Sequence, residues 1–513
     1  MGKYTGIMLA CIKSVACVGL MSFSVDVEVD VAEKGFPGFN IVGLPDKAVG
    51  EARERVRTAL VNCGFPFPQK KITVNLAPAD LPKEGSAFDL PIAIGILVAN
   101  GDIQLKEGGL FFGELSLDGA LRHTKGALLL ALFAKGENIK TIFVPVESAN
   151  EAAVVKDVRV MPVRGLKDLV GHLSGVKAIV PLKTIEAQNL VESAAPDFDM
   201  AEIVGQETAK RALVIAAAGG HNILMSGPPG SGKTMLSRAL PGIMPMMTEE
   251  ETMEVTKIYS AAGLLEAGEA IVRRRPFRAP HHSTSLAGLI GGGSRPLPGE
   301  VSLAHLGVLF LDEMAEFPRF VLEGMRQPME DGKVEISRAL GRISYPASFQ
   351  LVAAVNPCPC GYLGHPSHEC KCTVRDIERY KRRISGPILD RIDLHINVPA
   401  VEIEKIVGTV TKGETSETIR QRVTRARNTQ SERLLKFGIF CNAQMKNKLV
   451  KEFCRLDPGG MRVLRMATEK FDLSARSYFR VLKVARTIAD LDNSQDIQSV
   501  HLAEAFQYRE RVF

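Results

Sequence analysis

Gly227-Pro228-Pro229-Gly230-Ser231-Gly232-Lys233-Thr234 decides how the rest of this chain is read. Two glycines bracket four residues, and a lysine and a hydroxyl residue follow, which is the spacing of a phosphate-binding loop. Gly227, Gly230 and Gly232 let the backbone turn tightly, so that N–H groups point inward at phosphate oxygens. Lys233 carries a mobile positive charge to the β- and γ-phosphates, and the Thr234 hydroxyl is a ligand for Mg²⁺. Pro228, Pro229 and Ser231 complete the wall of the loop. His221 to Ser226 reads as a short strand before it and Met235 to Leu240 as helix after it, so a helix N-terminus adds its partial positive charge.

Working outward, 513 residues exceed what one hydrophobic core organises, so two to four domains are expected. The hydrophobic content of 45% and charged content of 24% belong to an ordinary globular protein, and the net charge of +6 permits an acidic partner without demanding one. Four of the nine cysteines crowd into residues 358–372, which favours a metal site in a reducing compartment over a disulfide framework. No apolar run approaches the roughly 20 residues of a membrane span. Gly6 to Phe23 superficially resembles a signal peptide, but Lys13 interrupts it and no convincing cleavage site follows, so a folded start and a cytoplasmic location are expected.

Residues 1–175 read as one α+β domain. Phe23 to Val31 alternates strictly, the pattern of a half-buried strand, and Pro45 to Asn62 is an amphipathic helix with Val49, Ala52, Val56, Ala59 and Leu60 as its apolar stripe. Asn75-Leu76-Ala77-Pro78-Ala79-Asp80-Leu81-Pro82-Lys83-Glu84-Gly85, then Gly113 to Gly119, resembles the proteolytic domain of Lon proteases, with its ribosomal-protein-S5-type fold. The Ser–Lys dyad of that family is not matched. Ala87 stands opposite the serine, with Ser86 one place early, and Leu128 stands opposite the lysine, with Lys125 out of register. A nucleophile needs an adjacent base, so a non-proteolytic docking or assembly domain is expected. A polar linker is expected over 176–198.

An ATPase core is expected over 199–398. The segment around Val204 resembles the part of AAA+ ATPases that wraps the adenine. Val308 to Leu311 is a buried strand that delivers Asp312, for Mg²⁺, and Glu313, to polarise the attacking water. The interval from Lys233 to Asp312 is long, with its excess in a basic, then Gly-rich insertion from Arg273 to Glu300 that contains His281, His282 and Arg295. Phe349 to Val355 is the next buried strand, and Asn356 at its end fits the sensor-1 residue of AAA+ proteins. Gly332 to Pro346 alternates as a β-hairpin with Lys333, Arg338 and Arg342 at or near its tip. A hairpin before sensor 1 and a long insertion before the acidic strand resemble the clade of magnesium-chelatase ATPase subunits and MCM helicases. In a ring of that clade the hairpin tip faces the central pore. Lys333, Arg338, Arg342 and, on the glycine-rich loop, Arg295 are then candidates for DNA phosphates, the alternative being acidic groups between subunits.

Cys358, Cys360, Cys370 and Cys372 form two Cys-x-Cys pairs that could supply four thiolates to one Zn²⁺. His365 and His368 are alternative ligands, and reduced thiols without metal are the other reading. Tyr380 to Asp393 resembles the arginine-finger segment of the same clade. Arg391 would reach a neighbour's γ-phosphate, which implies a ring, expected to be a hexamer; pairing with Asp390 or Asp393 is its structural alternative. Residues 399–513 read as a helical lid. Arg420, Arg422, Arg425 and Arg427 crowd one helix there, and Arg476 resembles sensor 2, with Arg480 one turn on as fallback.

The order of parts resembles the YifB/ComM family, labelled magnesium-chelatase-like. The resemblance implies an α/β fold, an AAA+ P-loop αβα core with a helical lid after an α+β ribosomal-S5/Lon-protease-like domain. It further implies a hexameric ATPase using ATP and Mg²⁺ and, for ComM, a branch-migration helicase acting on single-stranded or branched DNA beside recombination proteins in natural transformation, away from membranes. A metal-chelatase motor subunit and a protein unfoldase are the competing expectations.

Overall fold

The computed structural model describes residues 9–32, 36–105, 108–186, 190, 198–293, 297–338, 341–365, 367–400, 413–471 and 474–509. The chain divides into two compact units, Met1–Val191 with Thr248–Arg273, and Glu192–Met247 with Arg274–Phe513. This differs from the expected boundaries. Thr248–Arg273, read as part of the ATPase core, belongs to the first unit, where Met253, Ala270 and Ile271 join its apolar interior. Most of the expected linker's second half, 187–189 and 191–197, lies outside the described residues.

The first unit is built on a seven-stranded mixed sheet in the order 38–42, 71–77, 21–32, 9–18, 110–111, 141–145, 159–163. Alternation does what it should: Val25, Val27, Val29 and Val31 all point into the core while the acidic residues between them do not. The helix Lys47–Asn62 buries the stripe of Val49, Ala52, Val56, Ala59 and Leu60, and Asp46 caps it by accepting from the Val49 N–H at 2.8 Å. The helix Asp89–Ala99 starts late enough that Pro91 falls in its first turn, where a missing N–H costs no bond. Helix Glu249–Ala262 opens on a capping box from Thr248 and Glu251, and its Ser260 hydroxyl donates to the buried Glu151 carboxylate.

The second unit carries a five-stranded, wholly parallel sheet. Its order is Phe277–Arg278, Val308–Leu311, Gln350–Val355, Ile223–Ser226, Leu394–Asn397. Parallel strands covered on both faces read as unbroken apolar runs, and every residue of Ile223–Ser226, Val308–Leu311 and Gln350–Val355 is buried. The helices Ser416–Leu434, Ala475–Leu491 and Ser499–Gln507 share one hydrophobic cluster with that sheet, Val481, Ile488 and Leu502 lying in the same core as Ile223 and Val352. The expected core and lid are therefore one packed body. No described helix is long and apolar enough to cross a membrane.

A buried polar network ties this body together. His221 Nδ1 lies 3.1 Å from Asp393 Oδ2, and its Nε2 lies 2.8 Å from Thr487 Oγ1. Asn442 Nδ2 donates to Thr487 Oγ1 at 3.0 Å and to Asp490 Oδ2 at 2.8 Å, and Arg433 pairs with Asp490 at 2.8 Å. Burial alone would raise the Asp393 pKa, but the His221 hydrogen bond and the Arg480 charge outweigh it and hold the carboxyl well below its usual range.

Thr487→Val keeps the shape and removes the hydroxyl shared by His221 and Asn442. We expect a loss of about 1–3 kcal/mol for each group left unpaired, read from denaturant unfolding. The same unit should be acid-labile. Burial first, and the Arg509 charge second, push the His395 imidazole from 6.5 down to about 4. Its contribution to stability is complete above about 6.5, where it is neutral in both states, and is lost as pH falls toward 4. Unfolding curves across that range should show the decline, and His395→Gln should remove its upper part.

Candidate active site

In the parallel sheet the loop Gly227–Thr234 leaves the C-terminal end of Ile223–Ser226, between the strands that end at Asn356 and Asn397. Ligands of open α/β sheets bind at that edge, where the strand order reverses. The helix Lys233–Ile243 starts inside the loop, so its N-terminus faces the same place. Lys233 is buried, and its Nζ donates to the carbonyls of Gly227 at 2.7 Å and Pro228 at 2.8 Å and lies 3.4 Å from Ser231 Oγ. Burial lowers its pKa, against the opposing pull of Asp312 and Glu313.

The Thr234 hydroxyl donates to Asp312 Oδ2 at 3.2 Å. A hydroxyl from the loop and a carboxylate from the end of Val308–Leu311, one strand removed in the sheet, thus present hard oxygen donors to one point, the donor set that suits Mg²⁺. Glu313 sits at φ 49° and ψ 45°, left-handed geometry that a non-glycine residue adopts at a cost of about 1–2 kcal/mol. Such strain at a carboxylate beside a phosphate loop is the kind that functional sites retain. Its Oε2 lies 4.0 Å from His282 Nδ1, and the His282 ring lies against that of His281, centroids 4.0 Å apart and tilted by 35°. The sequence suggests a hydrogen-bonding or nucleic-acid-facing role for these histidines, with metal ligation as the alternative; His282 stands beside the acidic pair.

Val204 is half-buried just ahead of Gln206, whose Nε2 donates to Ser231 O at 3.3 Å and Pro399 O at 2.7 Å. Gln206, unmarked in the sequence, therefore braces the phosphate loop against the end of the edge strand. Asn356 follows Val355 directly, and its backbone hydrogen-bonds the Tyr380 hydroxyl. Cys358, Cys360, Cys370 and Cys372 bring their sulfurs within 4.8 Å of one another, three of the separations being 3.4 to 3.6 Å. Those spacings fit four thiolates around one ion, whose tetrahedral edge is about 3.8 Å for a Zn–S bond of about 2.3 Å. A backbone hydrogen bond from Tyr362 draws the Cys360 thiol down to about 6, while the thiols of Cys370 and Cys372 are raised. His365 and His368 meet Tyr362 edge-on and each other at a tilt of 36°, and neither belongs to the four-sulfur group.

Other candidates are placed differently from expectation. Lys333 is not near the hairpin tip. It pairs with Pro346 at the root of the ladder, while Ser337 faces Arg342 and Arg338 faces Gly341 at the far end. The reason is register: six pairs run from Lys333 with Pro346 at the root to Arg338 with Gly341 at the far end. Lys333 and Arg342 both bind Glu335, at 2.8 and 3.2 Å. The side chain of Arg338 and all of Arg295 lie outside the described residues. Arg391 pairs with Glu330, not with Asp390 or Asp393, and donates to Pro387 O at 2.6 Å. Arg476 is exposed in the first turn of Ala475–Leu491, whereas Arg480 donates to Ile392 O at 3.2 Å and lies 3.6 Å from Asp393. Of the arginines on Ser416–Leu434, Arg427 donates to the carbonyls of Ala217 and Ala218 at 2.6 and 2.9 Å, closing the C-terminus of Glu207–Gly219.

In the first unit, Ser86 donates to Glu114 and not to a lysine. Leu128, opposite the expected base, is fully buried with its N–H bonded to Glu151 Oε1 at 2.9 Å. Lys83 is buried with its ammonium on the Pro78 carbonyl.

Three family models match the chain in order: subunit ChlI of Mg-chelatase over residues 27–148, magnesium chelatase subunit ChlI over 199–406, and the ChlI C-terminal model over 413–509. Competence protein ComM of Haemophilus influenzae is 46% identical over 514 residues, covering 98% of each chain. The protein YifB of Escherichia coli is 43% identical over 504 residues, covering 98% of this chain and 97% of its own. Lon protease 2 of Bacillus subtilis is 28% identical over 233 residues, 39% of this chain and 41% of its own. A phosphate loop on a five-stranded parallel sheet with a packed helical lid, after a Lon-like α+β unit, together with identity along nearly the whole length, makes this chain a member of the YifB/ComM family, an AAA+ ATPase-like protein of magnesium-chelatase type.

Proposed function

We propose that the chain is an ATP-hydrolysing hexameric motor that moves on single-stranded or branched DNA, a branch-migration helicase serving recombination during competence. The observation that carries this reading is the hairpin. Its apolar face of Val334, Ile336, Ile343 and Tyr345 is buried, its other face shows Lys333, Ser344 and Arg342, and it runs within four residues into the strand that ends at Asn356. A shift at the nucleotide is then passed along one strand to a basic surface, and contacts with phosphates carry no sequence information, as a translocase requires. The name of the Haemophilus relative, a competence protein, supports DNA as the track.

In this reading Lys233 neutralises the β- and γ-phosphates, Thr234 and Asp312 hold Mg²⁺, and Glu313 polarises the attacking water. Asn356 reads the γ-phosphate, Arg476 reaches it from the lid and Arg391 from a neighbouring subunit. The four cysteines hold one Zn²⁺, and the Lon-like unit serves docking or assembly without cleaving peptides. A metal-chelatase-type motor subunit is the second reading, favoured by the three ChlI matches.

Lys233→Ala should lose nucleotide affinity, while Glu313→Gln should bind ATP yet hydrolyse it at least about a hundredfold more slowly. Near-normal turnover by Glu313→Gln would remove that carboxylate from its role. ATPase rates with and without single-stranded and branched DNA separate the two readings, since only the helicase should be stimulated by DNA alone. Arg338→Ala with Arg342→Ala should keep the hexamer and basal ATPase, lose DNA stimulation, and flatten the salt dependence of DNA binding. Normal strand displacement by that double variant would take the hairpin out of the grip.

A further inference from the structure

The four-cysteine element is a loop whose two ends both return to the nucleotide site. At its start, Cys358 lies two residues beyond Asn356 and is buried. Gly361 follows with φ +82°, and a Cβ built there would lie 2.7 Å from Pro229 Cδ and 2.9 Å from its Cγ. The element therefore presses directly on the phosphate loop, at a position where only glycine fits. At its end, Cys372 precedes Thr373, which caps the helix Val374–Lys381 in a reciprocal box with Asp376. Tyr380 of that helix closes the circuit on the backbone of Asn356. Just beyond, Arg383 pairs at 2.5 Å with Glu316, on the turn that follows Asp312 and Glu313.

Between Asn356 and Thr373 the described backbone forms no helix and no strand. Among the described residues its two arms are gathered by the sulfur cluster and by the edge contact of Tyr362 with His368. A loop of this kind loses its shape when its cross-link goes, because the chain regains the entropy of an open loop.

We infer that the metal held by Cys358, Cys360, Cys370 and Cys372 is a clamp on the nucleotide site, holding Gly361 against Pro229 and Asn356 against Tyr380, so that metal loading sets nucleotide affinity. This rests on the zinc reading above and adds a function to it. The clamp positions; none of the cysteines touches the phosphates. Its effect belongs to binding of nucleotide in the ground state, and so reaches ADP as well as ATP. Hydrolysis is not needed to see it.

The test uses the full chain and three measurements: zinc by elemental analysis, affinity for a fluorescent ADP analogue, and thermal unfolding. The wild type should carry one zinc per chain. Cys370→Ser with Cys372→Ser should lose it and bind ADP about tenfold or more weakly, since misplacement of binding groups by about 1 Å is costly. Gly361→Ala should keep the zinc, because all four thiols remain, and still bind ADP more weakly, because its Cβ displaces Pro229. Zinc-free wild-type protein would end the metal reading and the clamp with it. One zinc per chain, with wild-type ADP affinity in both variants, would leave the metal reading standing and overturn the clamp alone. Where the double variant fails to fold, Gly361→Ala decides: zinc kept with affinity lost supports the clamp, and zinc kept with affinity unchanged overturns it.

Discussion

A carboxylate carried into a protein interior costs several kcal/mol unless it is paired, and the second unit is arranged around one that is. Asp393 precedes the edge strand Leu394–Asn397 and meets His221 at 3.1 Å and Arg480 at 3.6 Å. The adjacent Asn222 extends the joint: its Oδ1 accepts from the Leu351 N–H at 2.8 Å, and its Nδ2 donates to Arg391 O at 3.0 Å. His221 and Asn222 lie at the foot of the strand that carries the phosphate loop. One buried knot thus joins the roots of three parallel strands and, through Thr487 and Arg480, the long lid helix. The lid cannot swing away from the sheet here without stranding Asp393, so lid position and strand position are coupled near the roots.

The hairpin shows the opposite economy. Its buried face packs against the glycine ribbon formed by Gly291–Gly292 and Leu297–Pro298, where a Cβ on Gly291 would lie 3.3 Å from Ile336 Cδ1. Among the described side chains, its polar face is tied by Glu335 to Lys333 and Arg342. Exposed pairs of this kind contribute about 0–1 kcal/mol. In the proposed reading, a phosphate oxygen would compete with Glu335 for these cations at small cost.

The sequence made legible what is local. The phosphate loop, the acidic strand end, the strand into Asn356 and the two Cys-x-Cys pairs each lie within a few residues, and Thr234 with Asp312 and the four sulfurs meet as their residue types suggested. The stripe of Lys47–Asn62 was readable for the same reason. Long-range partners were not. His221 and Thr487 are 266 residues apart, and nothing near either announces the other. Lys333 was misplaced because alternation gives the faces of a hairpin but not which end of its ladder a residue occupies. The excursion of Thr248–Arg273 into the first unit has no mark either, since its helix is capped and amphipathic like any other.

Arg391, proposed above to act across a subunit boundary, is held within the single chain. Its side chain is only 10% exposed and is held by Glu330 and the Pro387 carbonyl. A guanidinium serving a neighbour's phosphate must give up Glu330, and a carboxylate released from an ion pair needs another partner or water. Glu330 is 57% exposed, so water replaces Arg391 at small cost, and the exchange is set by what Arg391 gains. Glu330 also lies on the short helix Arg326–Asp331, one residue and a glycine before Lys333 opens the hairpin. The contact that restrains the arginine therefore sits at the root of the proposed DNA grip. In the proposed ring, movement of the hairpin and release of Arg391 would strain the same ion pair, which would then link the proposed track to the neighbour's nucleotide.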